Sequence, residues 1–205
     1  MNLYYQTGWN IFKFLGNLFF SFRAVHPERI PLTGPAVLAM NHQSFLDPPL
    51  AGICTQRELH ILARNSLLKW PVVGKLMPKV NVVPVDRSGG DMAALKAIIR
   101  VIKANEAVLL FPEGTRSRTG ALQKAQPGIG FVIAKTLTPV IPMRIFGAHE
   151  ALPPDGKSFS ATPVTVVVGE PLYFTQDDIA SRDRDLYQRL SDRVMDAIAA
   201  IEYVA

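Results

Sequence analysis

The sequence predicts a single α/β domain with a mainly parallel (mixed) sheet flanked by helices, preceded by an N-terminal amphipathic helix at a membrane interface. Three observations carry this reading. Short apolar runs of strand length alternate with segments whose apolar residues recur at helical spacing. Turn-forming Pro and Gly separate them, as expected of βα units and a parallel sheet. The 205 residues suffice for one sizeable core, and no internal repeat, low-complexity tract or second domain interrupts them.

The first element runs from Tyr4 to Phe22. Gln6, Asn10, Lys13, Asn17 and Ser21 fall on one narrow helical stripe, and aromatic and aliphatic residues fill the remainder. That apolar face is too wide for an ordinary surface helix. It is also too interrupted for a membrane span, which needs ~20 mostly apolar residues. The segment reads as a helix lying in a membrane interface, with Arg23 and Arg29 placed to meet anionic lipid heads. The alternative is a helix packed on its own domain or on another subunit. No basic segment precedes the apolar part and no small-residue cleavage pattern follows it, which speaks against a cleaved signal peptide. The chain thus divides into residues 1–24, the interface helix, and residues 25–205, the α/β domain.

Pro27, Pro31, Gly34 and Pro35 make a turn-rich connector. Ala36–Met40 is a buried strand stopped by Pro48-Pro49, with a short helix over residues 48–55. Leu59–Ala63 is a second strand, residues 64–77 form two short helices around Pro71 and Gly74, and Val80–Val85 is a third strand. Met92, Leu95, Ile98, Ile99 and Ile102 give a helix from Asp91 to Lys103, and Ala107–Phe111 is a buried strand. Gln126-Pro127-Gly128 opens a helix to Leu137. A strand spans Pro139–Ile145, where Pro142 marks an irregularity or a sheet edge. Residues 147–162 are a loop and Pro163–Val168 a β-branched strand. Thr175 with Asp178 suits a helix start, and a last helix places Leu186, Leu190, Val194, Ile198 and Ile201 on one face.

Composition narrows the partners. Hydrophobic residues make up 48% and charged ones 19%, which suits a globular protein leaning toward a lipid surface. Lys and Arg outnumber Asp and Glu by 22 to 17, and the net charge of +5 favours anionic partners. Without a basic run or a recognised motif, nucleic acid is not among them. Cys54 is the sole cysteine, so an intrachain disulfide and a multi-thiolate zinc site are excluded, and a reducing compartment fits. Set among Leu50, Ala51 and Ile53, it reads as a buried structural thiol. His26, His42, His60 and His149 show no metal-ligand spacing.

Two stretches carry the candidate chemistry. In Asn41-His42-Gln43-Ser44-Phe45-Leu46-Asp47, His42 and Asp47 follow a buried strand, where ligands of open α/β sheets bind. The spacing lets the carboxylate reach one imidazole nitrogen and leave the other as a general base. It equally suits a loop histidine beside a capping aspartate. In Phe111-Pro112-Glu113-Gly114-Thr115-Arg116-Ser117 a strand stops at Pro112, and Gly114 permits a sharp turn. Glu113, Thr115 and Arg116 then project polar groups at the strand end. Arg116 offers a planar fork suited to phosphate, and Glu113 an acceptor for a sugar or glycerol hydroxyl. The simpler reading is a polar turn with an ion pair such as Glu113–Arg118.

Together these stretches closely resemble the glycerolipid acyltransferase family, which includes lysophosphatidate and glycerol-3-phosphate acyltransferases. Asn81-Val82-Val83-Pro84-Val85-Asp86-Arg87 looks like the family's block ending in a basic residue, and Val140-Ile141-Pro142-Met143 like its apolar Pro-containing strand. The resemblance implies transfer of an acyl group from acyl-CoA or acyl-carrier protein to the hydroxyl of a lysophospholipid acceptor, forming phosphatidic acid in the lysophosphatidate case. It implies His42 as the base, Asp47 as its orienting partner, Arg87 and Arg116 as phosphate ligands, and Glu113 and Gly114 as seats for the glycerol. The acceptor hydroxyl is the nucleophile, so neither an acyl-enzyme nor a cofactor is expected. The expected location is the cytoplasmic face of a membrane, held from one side. Asn81 and Pro84 stand where the family usually has Gly and Phe, and Pro127 where a basic residue is common. Those departures touch the acceptor more than the reaction. The rivals are another acceptor (glycerol-3-phosphate, another lysophospholipid or a lyso-aminolipid), thioester hydrolysis, and a lipid-binding protein without turnover.

Overall fold

The computed structural model describes residues 1–64, 71–85, 91–181 and 185–203. A helix α1 (Leu3–Phe20) leads into β1 (Arg23–Val25), β2 (Ala36–Met40), α2 (Asp47–Gly52) and β3 (Leu59–Arg64). Then come α3 (Pro71–Leu76), β4 (Val82–Val85), α4 (Asp91–Lys103), β5 (Ala107–Leu110) and α5 (Gly128–Thr136). The chain closes with β6 (Val140–Phe146), α6 (Ala148–Ala151), β7 (Thr165–Val168) and α7 (Leu186–Ala199).

The strands form one sheet in the order β1-β7-β6-β2-β5-β3-β4. All pairs are parallel except β6–β7, so the expected mainly parallel, mixed α/β sheet is what forms. Alternation splits β2 between two cores. Leu38 and Met40 join Leu50, Leu59, Leu109 and Ile141 on the α1–α2 side. Val37 and Ala39 join Ile98, Val132, Ile133, Leu190 and Val194 under α4, α5 and α7. Because β5 lies on one side of β2 and β6 on the other, the chain reverses direction across the sheet at β2. The crevice beyond the carboxyl end of β2 is therefore where a ligand site is expected.

Four details depart from the sequence reading. β1 was not expected, because its three residues are too short to show a period; it straddles the expected division at residues 24 and 25 and pairs with β7 from Arg23↔Thr165 to Val25↔Val167. Pro142 lies on an interior strand rather than an edge. Its carbonyl accepts from Gly169 N–H at 2.8 Å just past the last β6–β7 pair, so the bond it cannot donate is lost at the frayed end of that ladder. The loop after β6 contains the short helix α6. The last helix stops at Ala199, and Ile201 packs from beyond it, 9% exposed.

α1 resolves the puzzle of its wide apolar face, because it presents three faces rather than two. Tyr5, Gly16 and Phe20 are buried against the domain. Gln6, Asn10, Lys13 and Asn17 make the polar stripe, and Ile11, Phe14, Leu18 and Phe19 point outward, 51%, 65%, 60% and 41% exposed. The docked face is pinned by hydrogen bonds. Trp9 Nε1 donates to Thr55 O at 2.8 Å, and the Tyr5 hydroxyl accepts from Leu59 N–H at 3.0 Å.

Candidate active site

Asp47 sits at the first position of α2, its carboxylate fully buried. One oxygen, Oδ2, gathers the loop that precedes it. It accepts from Gln43 N–H at 2.6 Å, from Ser44 N–H at 2.7 Å and from His42 Nδ1 at 2.7 Å. Asp47 thus staples the turn by backbone bonds and also holds the imidazole by Nδ1, while the N-cap position itself belongs to Leu46. A carboxylate without a proton only accepts, which assigns the proton of His42 to Nδ1 and leaves Nε2 with its lone pair. The His42 side chain is 18% exposed, at the surface of the crevice. The ring of Phe111 lies flat against it, centroids 3.9 Å apart and planes 16° from parallel, fixing the imidazole plane.

The two motif loops, far apart in sequence, are bound through the backbone of His42. Its N–H donates to Glu113 Oε1 at 3.1 Å, and its carbonyl accepts from Ser117 N–H at 2.7 Å. Between those contacts the chain turns at Gly114, with φ of +70° and its N–H bonded to Phe111 O at 3.0 Å. Glu113 is 3% exposed, and its second oxygen accepts from Gln123 Nε2 at 2.8 Å. Burial pushes its carboxyl up, against the lowering contributed by Gln123 and the His42 N–H. The Glu113–Arg118 ion pair of the simpler reading is not among the bonds of Glu113; Gln123 and the His42 N–H take its oxygens. On the far side, Asn41 exchanges both amide bonds with Ile145 of β6, at 2.8 and 3.3 Å. Gln43 adds a bond to the same carbonyl, and Ser44 Oγ donates to Leu152 O at 2.6 Å.

Arg116 projects beside this centre. Its guanidinium carbon lies 3.6 Å from the centroid of the Phe45 ring, and Nη1 donates to Pro154 O at 3.3 Å. Thr115 is exposed next to it, its carbonyl accepting from Gln123 at 3.1 Å. His42, Asp47, Glu113, Gly114, Thr115 and Arg116 therefore come together at the ends of β2 and β5. Arg87, the remaining expected ligand, lies outside the described residues. Phe111, Asn41 and Gln123 are positioning residues the sequence reading passed over. Asn41 and Phe111 stood inside the quoted motifs as polar and strand residues, and nothing in the sequence marked Gln123.

The acyltransferase family model matches residues 21–146. A chloroplastic 1-acyl-sn-glycerol-3-phosphate acyltransferase of Brassica napus is 30% identical over 156 residues, covering 74% of this chain and 45% of that protein. A protein of the same name from Bacillus subtilis is 26% identical over 172 residues, 80% of each chain. The chain spans just under half the length of the plant relatives it matches. Among solved structures, the 1-acyl-sn-glycerophosphate (LPA) acyltransferase PlsC of Thermotoga maritima shares the fold. Its TM-score is 0.73 at 24% identity, covering 98% of this chain and 80% of that one.

Proposed function

Because the chain belongs to the acyltransferase family, we propose that it transfers an acyl group from a thioester donor, acyl-CoA or acyl-carrier protein, to the free hydroxyl of 1-acyl-sn-glycerol-3-phosphate, forming phosphatidic acid. The observation that carries this is the grip on His42: Nδ1 held by the buried Asp47, and the ring plane fixed by Phe111. Nε2 takes the proton of the acceptor hydroxyl as that oxygen attacks the thioester carbonyl. Asp47 stays ionised and stabilises the imidazolium. The tetrahedral adduct then collapses, the carbon–sulfur bond breaks, and the leaving thiolate recovers the proton from Nε2. No enzyme nucleophile is required. Cys54 fits none, since burial pushes its thiol far up and its Sγ donates to Leu50 O at 3.3 Å.

Arg116 and Arg87 bind the acceptor phosphate in this reading, and Thr115 and Gly114 border the glycerol. Glu113 serves mainly through the His42 N–H it holds. No helix among the described residues is long and apolar enough to cross a membrane. The outward face of α1 supports attachment from one side; the cytoplasmic face is the side we propose.

The test is one acyl thioester offered to a panel of acceptors, with the lipid product identified by mass spectrometry. Acylated lysophosphatidate is the expected product. His42→Ala lowers turnover by about 10²–10⁴, the span of positioned acid–base catalysis. Arg116→Lys raises the acceptor KM, because an ammonium cannot reproduce the guanidinium fork. Free fatty acid as the main product, another acceptor preferred, or a His42→Ala protein with near-normal turnover overturns the assignment.

A further inference from the structure

The outward face of α1 does not end at the helix. Phe159, in the segment between α6 and β7, packs edge-on against Phe19 with centroids 5.7 Å apart and planes at 83°. It also meets Phe20 at 5.5 Å, yet stays 59% exposed. Three residues back, a Cβ placed on Gly156 would lie 3.9 Å from Cε2 of Phe45, itself 53% exposed. Phe45 in turn carries Arg116 on its ring, and Arg116 bonds Pro154 of the same segment. Exposed Leu18 and Phe19 thus adjoin Phe159 at one end of this segment, and exposed Phe45, at the mouth of the site, lies beside Gly156 near its other end.

We propose that residues 155–160 and Phe45 form a second lipid-contacting surface, so that the bilayer meets the protein both at α1 and at the rim of the active site. This rests on the membrane and acceptor readings given above and adds the orientation of the molecule to them. The occupant is a lipid surface rather than a second copy of the chain, for reasons of depth and chemistry. Exposed Phe and Leu side chains on one surface bury themselves at the boundary of headgroups and acyl chains. The segment between them is polar and exposed, with Gly156, Lys157 and Ser158, and Lys157 suits lipid phosphate although Asp155 opposes it. A lysophospholipid keeps its phosphate in that layer and its chain below. Setting Phe45 there puts Arg116, stacked on it, at the depth of the phosphate it is read to bind.

Nitroxide labels decide it. They are placed by Leu18→Cys, Phe159→Cys and Tyr173→Cys, each in the Cys54→Ser background. Tyr173 serves as the aqueous control, since its neighbour Leu172 bridges Val140 at the opposite end of the sheet from the site. On vesicles of phosphatidylcholine with phosphatidylglycerol, labels at 18 and 159 should gain oxygen collisions and lose those with a water-soluble nickel chelate, while 173 stays unchanged. If 18 enters and 159 stays aqueous, this proposal is wrong and the α1 reading survives. If neither enters, the membrane reading itself fails. In parallel, Phe159→Glu should weaken vesicle binding about tenfold or more, from the burial of one aromatic side chain. It should raise KM for vesicle-borne acceptor and leave KM for a short-chain soluble acceptor unmoved. A Phe159→Glu protein that loses a dimer by sedimentation but binds vesicles normally overturns the proposal in favour of a self-association surface.

Discussion

Asp47→Asn separates holding the loop from holding the base. In the native chain Oδ2 of the fully buried Asp47 accepts three hydrogen bonds at 2.6–2.7 Å. An amide oxygen can take the same position, but each bond then loses its charge assistance, about 1 kcal/mol apiece and ~3 kcal/mol in all. The amide NH₂ must occupy the place of Oδ1, which is buried and has no hydrogen-bond partner, so it gains nothing there. For a domain of this size ~3 kcal/mol corresponds to a fall in Tm of about 6–12 °C. Turnover should fall further than stability explains, by about 10²–10⁴, because a neutral amide does not stabilise the imidazolium that forms as the hydroxyl proton is taken. Both KM values should change little. The assays are scanning calorimetry and kcat at saturating donor and acceptor, well below the lowered Tm. A variant with the lowered Tm but kcat within about tenfold of the parent would refute the reasoning and leave Asp47 as a loop staple alone.

Two further predictions concern the frame around the site. Because burial raises the folded-state pKa of Glu113 above the ordinary 4.5, its contribution is fully present below that value and is lost as pH rises through the folded pKa. Tm measured against pH should therefore rise in Glu113→Gln relative to the parent across that window, with Gln123 turning its amide to match; parallel curves contradict this. At the α5–α7 contact, a Cβ on Gly130 would lie 1.8 Å from Tyr187 O, and the Gly130 N–H bond to Ser191 Oγ leaves no slack. Gly130→Ala should cost about 1–3 kcal/mol by overpacking, a Tm loss of several degrees, with kcat largely kept at low temperature.

Much of this fold was legible because its elements are strongly patterned. The predicted bounds of β2 and α4 are those of the structure, since β2 is a short unbroken apolar run after Gly34-Pro35 and α4 repeats its apolar residues at helical spacing. What failed to show was set by contacts between distant segments. β1 exists because β7 gives it a partner, and Pro142 is tolerated inside the sheet because the neighbouring ladder ends beside it. The same holds for the site. His42, Asp47 and the turn at Gly114 could be read from spacing, whereas the stacking of Phe111 and the Gln123–Glu113 bond depend on how β2 and β5 lie together. α1 was read as having two faces, because one sequence period cannot distinguish an apolar side that docks from one that stays outside.

The docked face of α1 has a thermodynamic consequence. Deleting residues 1–20 to obtain a freely soluble protein would strip Tyr5 and Phe20 from the interior and leave Leu59 N–H and Thr55 O without their partners. The helix is part of the folding unit rather than a detachable tether. By mass action, anything that engages its outward face only in the folded state raises the melting temperature of the entire domain. Detergent or vesicles would then act on this protein as a ligand acts on a receptor, with unfolding and release from the surface as one linked equilibrium.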